Sequence, residues 1–462
     1  VPWISILLYR IEHNLLAASS NALHDDESGG GVIVHKVLEP RFILPDDLGY
    51  RCIRCARCCS DFWEIPIDQA TYDQLKERDL AAIKPSLERI SPVMRSVIDR
   101  DRWVMRRSDL QCCLLSLQHE CLLHSHFGYE AKPQGCRDFP LRFVVTPDGI
   151  YVGLSFACSS VVRSEGKKGI IAEDDLRAAF QQSQNTATLY HEIEFSKTVS
   201  VPWDLYVKIE QELVRLLSVD VYPLDVRLIG GGIYLDLLER FIHEACKQHG
   251  YGIDRAVETF IRDMGQQRYQ RIITMAGKAR NSPMLKRMFV GLVIAYRNSA
   301  EKRRGRMRDI GFVLFHYLKH WLMIGKVSLL PIAGGFAYDQ LRHVRFDISD
   351  PFFEFQLRRF FLHMIFRKDL VTHRDLLSGY RFMLLYYALI RWYAVGLACT
   401  RNADEVARTD LTEAIALVER YYVFHPVFDH LFARNPLFHR IVEKFLQSKA
   451  YAPTIVRPAV KP

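Results

Sequence analysis

Apolar residues recur three and four positions apart through most of the second half of the chain, in 201–217, 235–247, 310–324, 376–397 and 411–422. That spacing lays one apolar face along a helix, so each segment predicts an amphipathic α-helix packed on its neighbours. Gly230, Gly231 and Gly232, and further on Gly334 and Gly335, read as turns between helices,. The first half has a different rhythm. Residues 141–145 and 150–156 are strand-like runs on either side of Thr146, Pro147, Asp148 and Gly149, an order that suits a turn closing a hairpin,. Residues 62–67 predict a short strand, Asp68 caps a helix over 69–78, and 92–102 reads as helical,.

These elements divide the chain into an irregular leader or linker (1–49), a small cysteine-rich α+β domain (50–165), a larger all-α helical domain (171–450) and a tail (451–462). The expected class is therefore α+β. Asp25, Asp26, Glu27 and Ser28 followed by Gly29, Gly30 and Gly31 have linker composition,. This glycine run is not a phosphate loop, because neither a strand-turn-helix pattern nor a GK[ST] follows it.

A length of 462 residues accommodates about two or three domains, each with its own core,. Hydrophobic residues at 49% and charged residues at 25% suit a globular protein,. The net charge of +9 permits an acidic partner without demanding one,. The densest basic run, 302–308, is not interleaved with aromatics and reads as a solvated loop or helix start, so no specific nucleic-acid partner is expected,. Residues 382–399 are long enough to span a bilayer, but Arg391 sits at their centre among Tyr386, Tyr387, Trp392 and Tyr393. A buried helix, and no transmembrane segment, is the expectation. The apolar stretch 3–9 is short, no basic residue precedes it, and Arg10, Glu12 and His13 end it, which makes a poor signal peptide,. With reduced cysteines, this points to the cytoplasm.

The cysteines change the picture most. Nine of the eleven fall between Cys52 and Cys158. Cys52, Cys55, Cys58 and Cys59 crowd one short run, and Cys112, Cys113, Cys121, Cys136 and Cys158 follow. A CxxC spacing lets two thiolates reach one metal from a tight turn. Buried apolar cysteines would not concentrate this way, and a chain of this size needs no disulfide framework. The small domain is thus expected to bind a soft metal. Candidate ligands are Cys52, Cys55, Cys58, Cys59, Cys112, Cys121, Cys136 and Cys158, around a [4Fe–4S] cluster or, as the alternative, zinc. Cys113 and His124 are weaker candidates. Arg54, Arg57 and Arg137 adjoin the cysteines, where cations favour thiolate over thiol.

Cys52, Cys55, Cys58 and Cys59 match the CxxCxxCC signature of the cysteine-cluster family that includes the flagellin lysine N-methylases, and the chain resembles that family further along. Cys112-Cys113-Leu114-Leu115 is similar to its C-x-[FL]-L element, Cys121-Leu122-Leu123-His124 to its C-x-[IL]-[YH] element, and Lys132 to Pro140 to its [RK]Px2CRxFP element. Cys158 resembles the late cysteine of the methylase branch. Two positions depart: Ala56 replaces a frequent glycine, and Lys132 stands where arginine is common. The resemblance covers about 50–160 and implies an iron–sulfur or zinc domain. It further implies transfer of a methyl group from S-adenosylmethionine to lysine on a protein substrate, flagellin-like or another lysine-bearing protein. No S-adenosylmethionine motif is visible, and no catalytic residue is nominated. The same residues also fit a metal-stapled structural or partner-binding protein without that activity.

Overall fold

Thr146 and Gly149 close the hairpin at the centre of the fold. The Thr146 hydroxyl donates to Asp148 Oδ1 at 2.6 Å, the side-chain-closed turn that this residue order favours,. The strands Leu141–Thr146 and Gly149–Leu154 pair antiparallel, Leu141 opposite Leu154 and Thr146 opposite Gly149. Phe42–Ile43 joins one edge in parallel and Thr186–Thr188 the other, completing four strands. Strand alternation gives the sheet two apolar faces. Phe143, Ile150 and Val152 pack on Leu176 of the helix Glu173–Gln182. Val144 and Tyr151 face the large helical core, which Leu154 also joins at the end of its strand.

This computed structural model describes residues 41–46, 52–60, 64–96, 101–108, 111–163, 173–183, 186–287, 290, 291, 293, 306–328, 335–372, 374–423, 443–448 and 450–457. Residues 41–462 form one compact unit. Most of the expected leader, including its glycine run, lies outside the described residues, as do Phe62, Trp63 and Gly334. Phe42–Ile43 corrects the leader's inner boundary, since it is a sheet strand.

The cysteine region has its own small core of Ile67, Leu75, Leu80, Leu87, Val93, Met105, Leu114, Leu123 and Ala131. Asp68 caps the helix Gln69–Glu77 as expected, its Oδ1 accepting the Thr71 N–H at 2.7 Å. Among the described residues of 92–102, the helix read there is not formed. Val93–Arg95 is a strand, paired with Trp103–Met105, which also pairs with Pro66–Ile67. Val93 and Met105 then point into the small core, a burial that a helix here would not provide,.

The second half is mainly helical, as its period predicts, but the expectation of an all-α domain over 171–450 is corrected, since Thr186–Thr188 pairs with the central hairpin and further strands follow. Trp203–Ser218, Leu224–His249, Ile253–Arg262, Gln266–Lys278, Arg306–Leu322, Pro351–Phe366, Leu376–Thr400 and Arg408–Val418 are the long helices among the described residues. The small strands Glu192–Ser196 with Val199–Pro202 and Lys326–Ser328 with Gly335–Ala337 form two hairpins beside them. Gly230, Gly231 and Gly232 do not break the chain. They lie inside Leu224–His249, where a Cβ on Gly231 would sit 2.1 Å from the Tyr380 hydroxyl. Their smallness lets Leu376–Thr400 approach closely, and Tyr380 donates to Leu228 O at 2.8 Å. Among the described residues, Leu376–Thr400 is the helix long and apolar enough to cross a bilayer, and 78% of its apolar window is buried inside the protein. The stretch read as a tail holds the helix Tyr451–Val456, with Tyr451, Ile455 and Val456 in the core.

Candidate metal centre

The first cysteine block is a tight loop built on unusual backbone. Arg54 and Ala56 both adopt left-handed conformations, φ 51° and 57°. Two such residues reverse the chain within a few positions, and the Cys59 N–H then closes on Ala56 O at 2.9 Å. The turn explains why glycine suits position 56, since a Cβ there costs on the order of 1 kcal/mol. It brings Cys58 Sγ and Cys59 Sγ to 3.9 Å. All eleven cysteines are free thiols.

The second block is pinned by main-chain contacts. Arg107–Ser108 pairs with Gln111–Cys112, and the Lys84 ammonium donates to Cys113 O at 2.7 Å and Leu115 O at 3.1 Å. Leu115 bridges Cys121, which stands at the start of the helix Leu122–Phe127. Cys136 lies in the helix Gln134–Asp138, and Cys158 directly precedes Ser159–Arg163.

Four separated segments thereby carry their thiols into one another's electrostatic field. Charge at Cys58, Cys112 and Cys136 acts on Cys59. Charge at Cys112, Cys58 and Cys121 acts on Cys136, and charge at Cys55 and Cys58 acts on Cys158. Cys55, Cys58, Cys59, Cys112, Cys121, Cys136 and Cys158 thus lie within electrostatic reach of one another, and Cys58 and Cys59 are in contact. Cys52 stays exposed at the rim, its sulfur accepting the Arg54 N–H at 3.4 Å. Cys113 is buried in the small core beside Cys112, its thiol 3.6 Å from Pro92 O. His124 is exposed, edge-on to Tyr129. Among the described residues, no three His, Cys, Asp or Glu side chains stand close enough to hold one ion.

Local hydrogen bonds and cations set which thiols ionise. The Cys59 thiol donating to Cys58 brings Cys58 down to about 6 against the pull of burial, and Lys132 and Arg420 add to this. The Cys113 thiol does the same for Cys112, held at about 7 with help from the Leu114 N–H, Arg107 and Lys84. Burial pushes Cys136 well up, although Lys132 opposes it. Burial also raises Cys121 and takes Cys158 to about 11. Both shifts are moderated by backbone N–H groups, of His124 and Leu123 at Cys121 and of Val161 and Ser160 at Cys158. Backbone N–H donors and nearby cations are what metal-bound thiolates require, since both offset sulfur charge without competing as ligands. The donor set therefore fits zinc or an iron–sulfur cluster.

The loop is also tied to the helical half. Arg57 pairs with Glu413 at 2.8 Å, whereas Arg54 makes only an exposed pair with Glu120 at 3.2 Å. Arg137 bonds Glu130 and Gln134, a bracing role rather than a ligand's. Beyond Arg408–Val418 the chain forms one π-helical turn, Glu419–Val423. It places Glu419 against the Phe156 N–H at 2.8 Å and Arg420 against Ala157 O at 2.8 Å, immediately before Cys158. Glu419 also holds Arg367 at 3.0 Å, and Arg367 lies so close to Gly153 that a Cβ there would meet its Cγ at 2.3 Å. Sequence reasoning missed Lys84, Glu419 and Arg420. Nothing near them marks a role, because their partners are remote in the chain.

Comparison with known proteins adds little to this geometry. No family model matches the chain. No solved structure matches it. The chain is similar to an uncharacterized protein of Methanocaldococcus jannaschii, 28% identical over 127 residues that make up 27% of this chain. The chain spans 41% of that protein's length.

Proposed function

We propose that this chain is a cysteine-cluster metalloprotein holding a [4Fe–4S] cluster, with zinc as the alternative. The observation that carries the reading is the mutual electrostatic influence of thiols from separated segments, with Cys58 and Cys59 in contact at 3.9 Å and Lys84, Arg107, Lys132 and Arg420 acting on them. Metal binding is coupled to folding, so the thiols would draw inward on an ion from this arrangement. When bound, such a centre cross-links the segments and supplies folding free energy. Reduced, closely spaced thiols suit a cytoplasmic setting.

On the resemblance of the cysteine elements, the same protein is proposed to methylate lysine on a protein substrate, using S-adenosylmethionine. The large helical half, braced to the cysteine loop through Arg57, Glu419 and Arg420, is more structure than a bare metal module needs. A metal-stapled partner-binding protein is the second reading. It needs only the cysteine centre and an exposed surface for the partner. Anaerobically purified protein should be brown, with absorbance near ~400 nm. Calorimetry with S-adenosylmethionine, then mass spectrometry of candidate substrates, separates the readings. Binding and added methyl groups support the methylase, and no binding at millimolar donor with the metal intact supports the staple.

A further inference from the structure

We infer that the helix Arg306–Leu322 docks the protein on an anionic membrane surface. An ordinary surface helix buries its apolar side and shows a polar one. This helix shows apolar residues outward as well. His320 faces the body, 5% exposed, its Nδ1 3.1 Å from the Tyr338 hydroxyl and its ring 5.8 Å from that of Trp392. Leu314, Phe315, Leu318, Trp321 and Leu322 lie one, four, seven and eight positions along from the first, which is a single arc about 120° wide on a 3.6-residue helix,. That arc points away from His320. Phe315 is 60% exposed and Leu322 55%, and Ile324 prolongs the stripe at 54%. Six large side chains in one stripe reach the scale, on the order of a few hundred Å², at which a surface patch marks an interaction site.

The charges around the stripe choose the occupant. Arg306 and Arg308 open the helix, and Lys319 and Lys326 lie at its other end. Asp309 is the one acidic residue within the helix sequence. Lys319 stands 5.6 Å from the Phe315 ring, so a cation and the aromatic stripe share one edge. Apolar and aromatic side chains on one face with cations at both ends match acyl chains beneath anionic headgroups. A second copy would fit poorly. Pairing the stripes in parallel sets arginines against arginines, and antiparallel pairing sets arginines against lysines.

The test is cosedimentation of the full chain with vesicles of phosphatidylcholine alone and of phosphatidylcholine mixed with phosphatidylglycerol. Binding is expected only to the mixed vesicles, falling as salt is raised. Phe315→Glu with Leu322→Glu should abolish it with no change in melting temperature, because both side chains are exposed. Arg306→Ala with Arg308→Ala should weaken it roughly 25-fold, at about fivefold per cation. Failure of the native chain to bind mixed vesicles, or equal binding by the glutamate variant, overturns the proposal. So does a dimer seen by light scattering that the same glutamates dissociate.

Discussion

Glu419→Ala should be among the most damaging single changes in the helical half. The carboxylate is fully buried and does three things at once. It accepts the Phe156 N–H at 2.8 Å, bonds the Ser155 side chain and pairs with Arg367, itself 1% exposed, at 3.0 Å. Removing one partner of a buried ion pair costs about 3–5 kcal/mol. Asp369 still holds Arg367 at 2.6 Å, which keeps this loss near the lower end. The orphaned Phe156 N–H adds about 1 kcal/mol, for a total near 4 kcal/mol, a large share of the ~5–15 kcal/mol available to a domain. Glu419→Gln retains an oxygen for Phe156 and should cost about half as much. Urea unfolding followed by tryptophan fluorescence measures both. Metal content should fall with stability, since Phe156 and Ala157 set the approach to Cys158. A Glu419→Ala protein within about 1 kcal/mol of the native one would show that the network around Arg367 does not hold the cysteine segment.

Other outcomes follow from the same geometry. Cys55→Ala and Cys136→Ala should lose metal and become protease-sensitive, whereas Cys113→Ala and Cys399→Ala should keep metal and lose about 1–2 kcal/mol in unfolding experiments. Ala56→Gly should raise stability by up to about 1 kcal/mol, because glycine adopts the left-handed turn without strain, and a lower denaturation midpoint would contradict this,. Burial holds His320 at about 4, below its unfolded value near 6.5, so the folded state favours the neutral ring,. Its contribution is complete above about pH 6.5 and declines by up to ~1.4 kcal/mol per pH unit as the pH falls towards 4. Melting temperatures of the native chain and His320→Gln should therefore converge on acidification, and parallel curves would refute the assignment. Gly231→Ala must displace Tyr380 and should cost about 1–3 kcal/mol by calorimetric unfolding,.

Where local physics decides the outcome, the sequence was a good guide. The 3.6-residue period over 201–217 and 376–397 corresponds to Trp203–Ser218 and Leu376–Thr400, and Thr146, Asp148 and Gly149 set the hairpin. The thiols of the cysteine elements act electrostatically on one another across distant segments, with Cys58, Cys112 and Cys121 all acting on Cys136. Where distant partners decide, local reading failed. Val93–Arg95 is a strand because Trp103–Met105 pairs with it, and three glycines stay helical because Tyr380 needs the space. Arg367, Glu419 and Arg420 are charged residues in apolar helices that would read as solvated faces. Their burial makes sense only beside Leu154, Phe156 and Ala157, more than two hundred positions earlier. The stripe on Arg306–Leu322 was legible as amphipathic, but which side faces outward depends on the docking of His320.

The central claim is that the gathered thiols hold a metal cluster. Iron and acid-labile sulfide analysis of anaerobically reconstituted protein, beside Cys136→Ala, tests it most directly. The account predicts about four irons and four sulfides per chain, lost together in the variant. One zinc per chain in place of iron would select the structural alternative. Native protein that binds neither metal, or a Cys136→Ala variant that retains its full complement, would contradict the account.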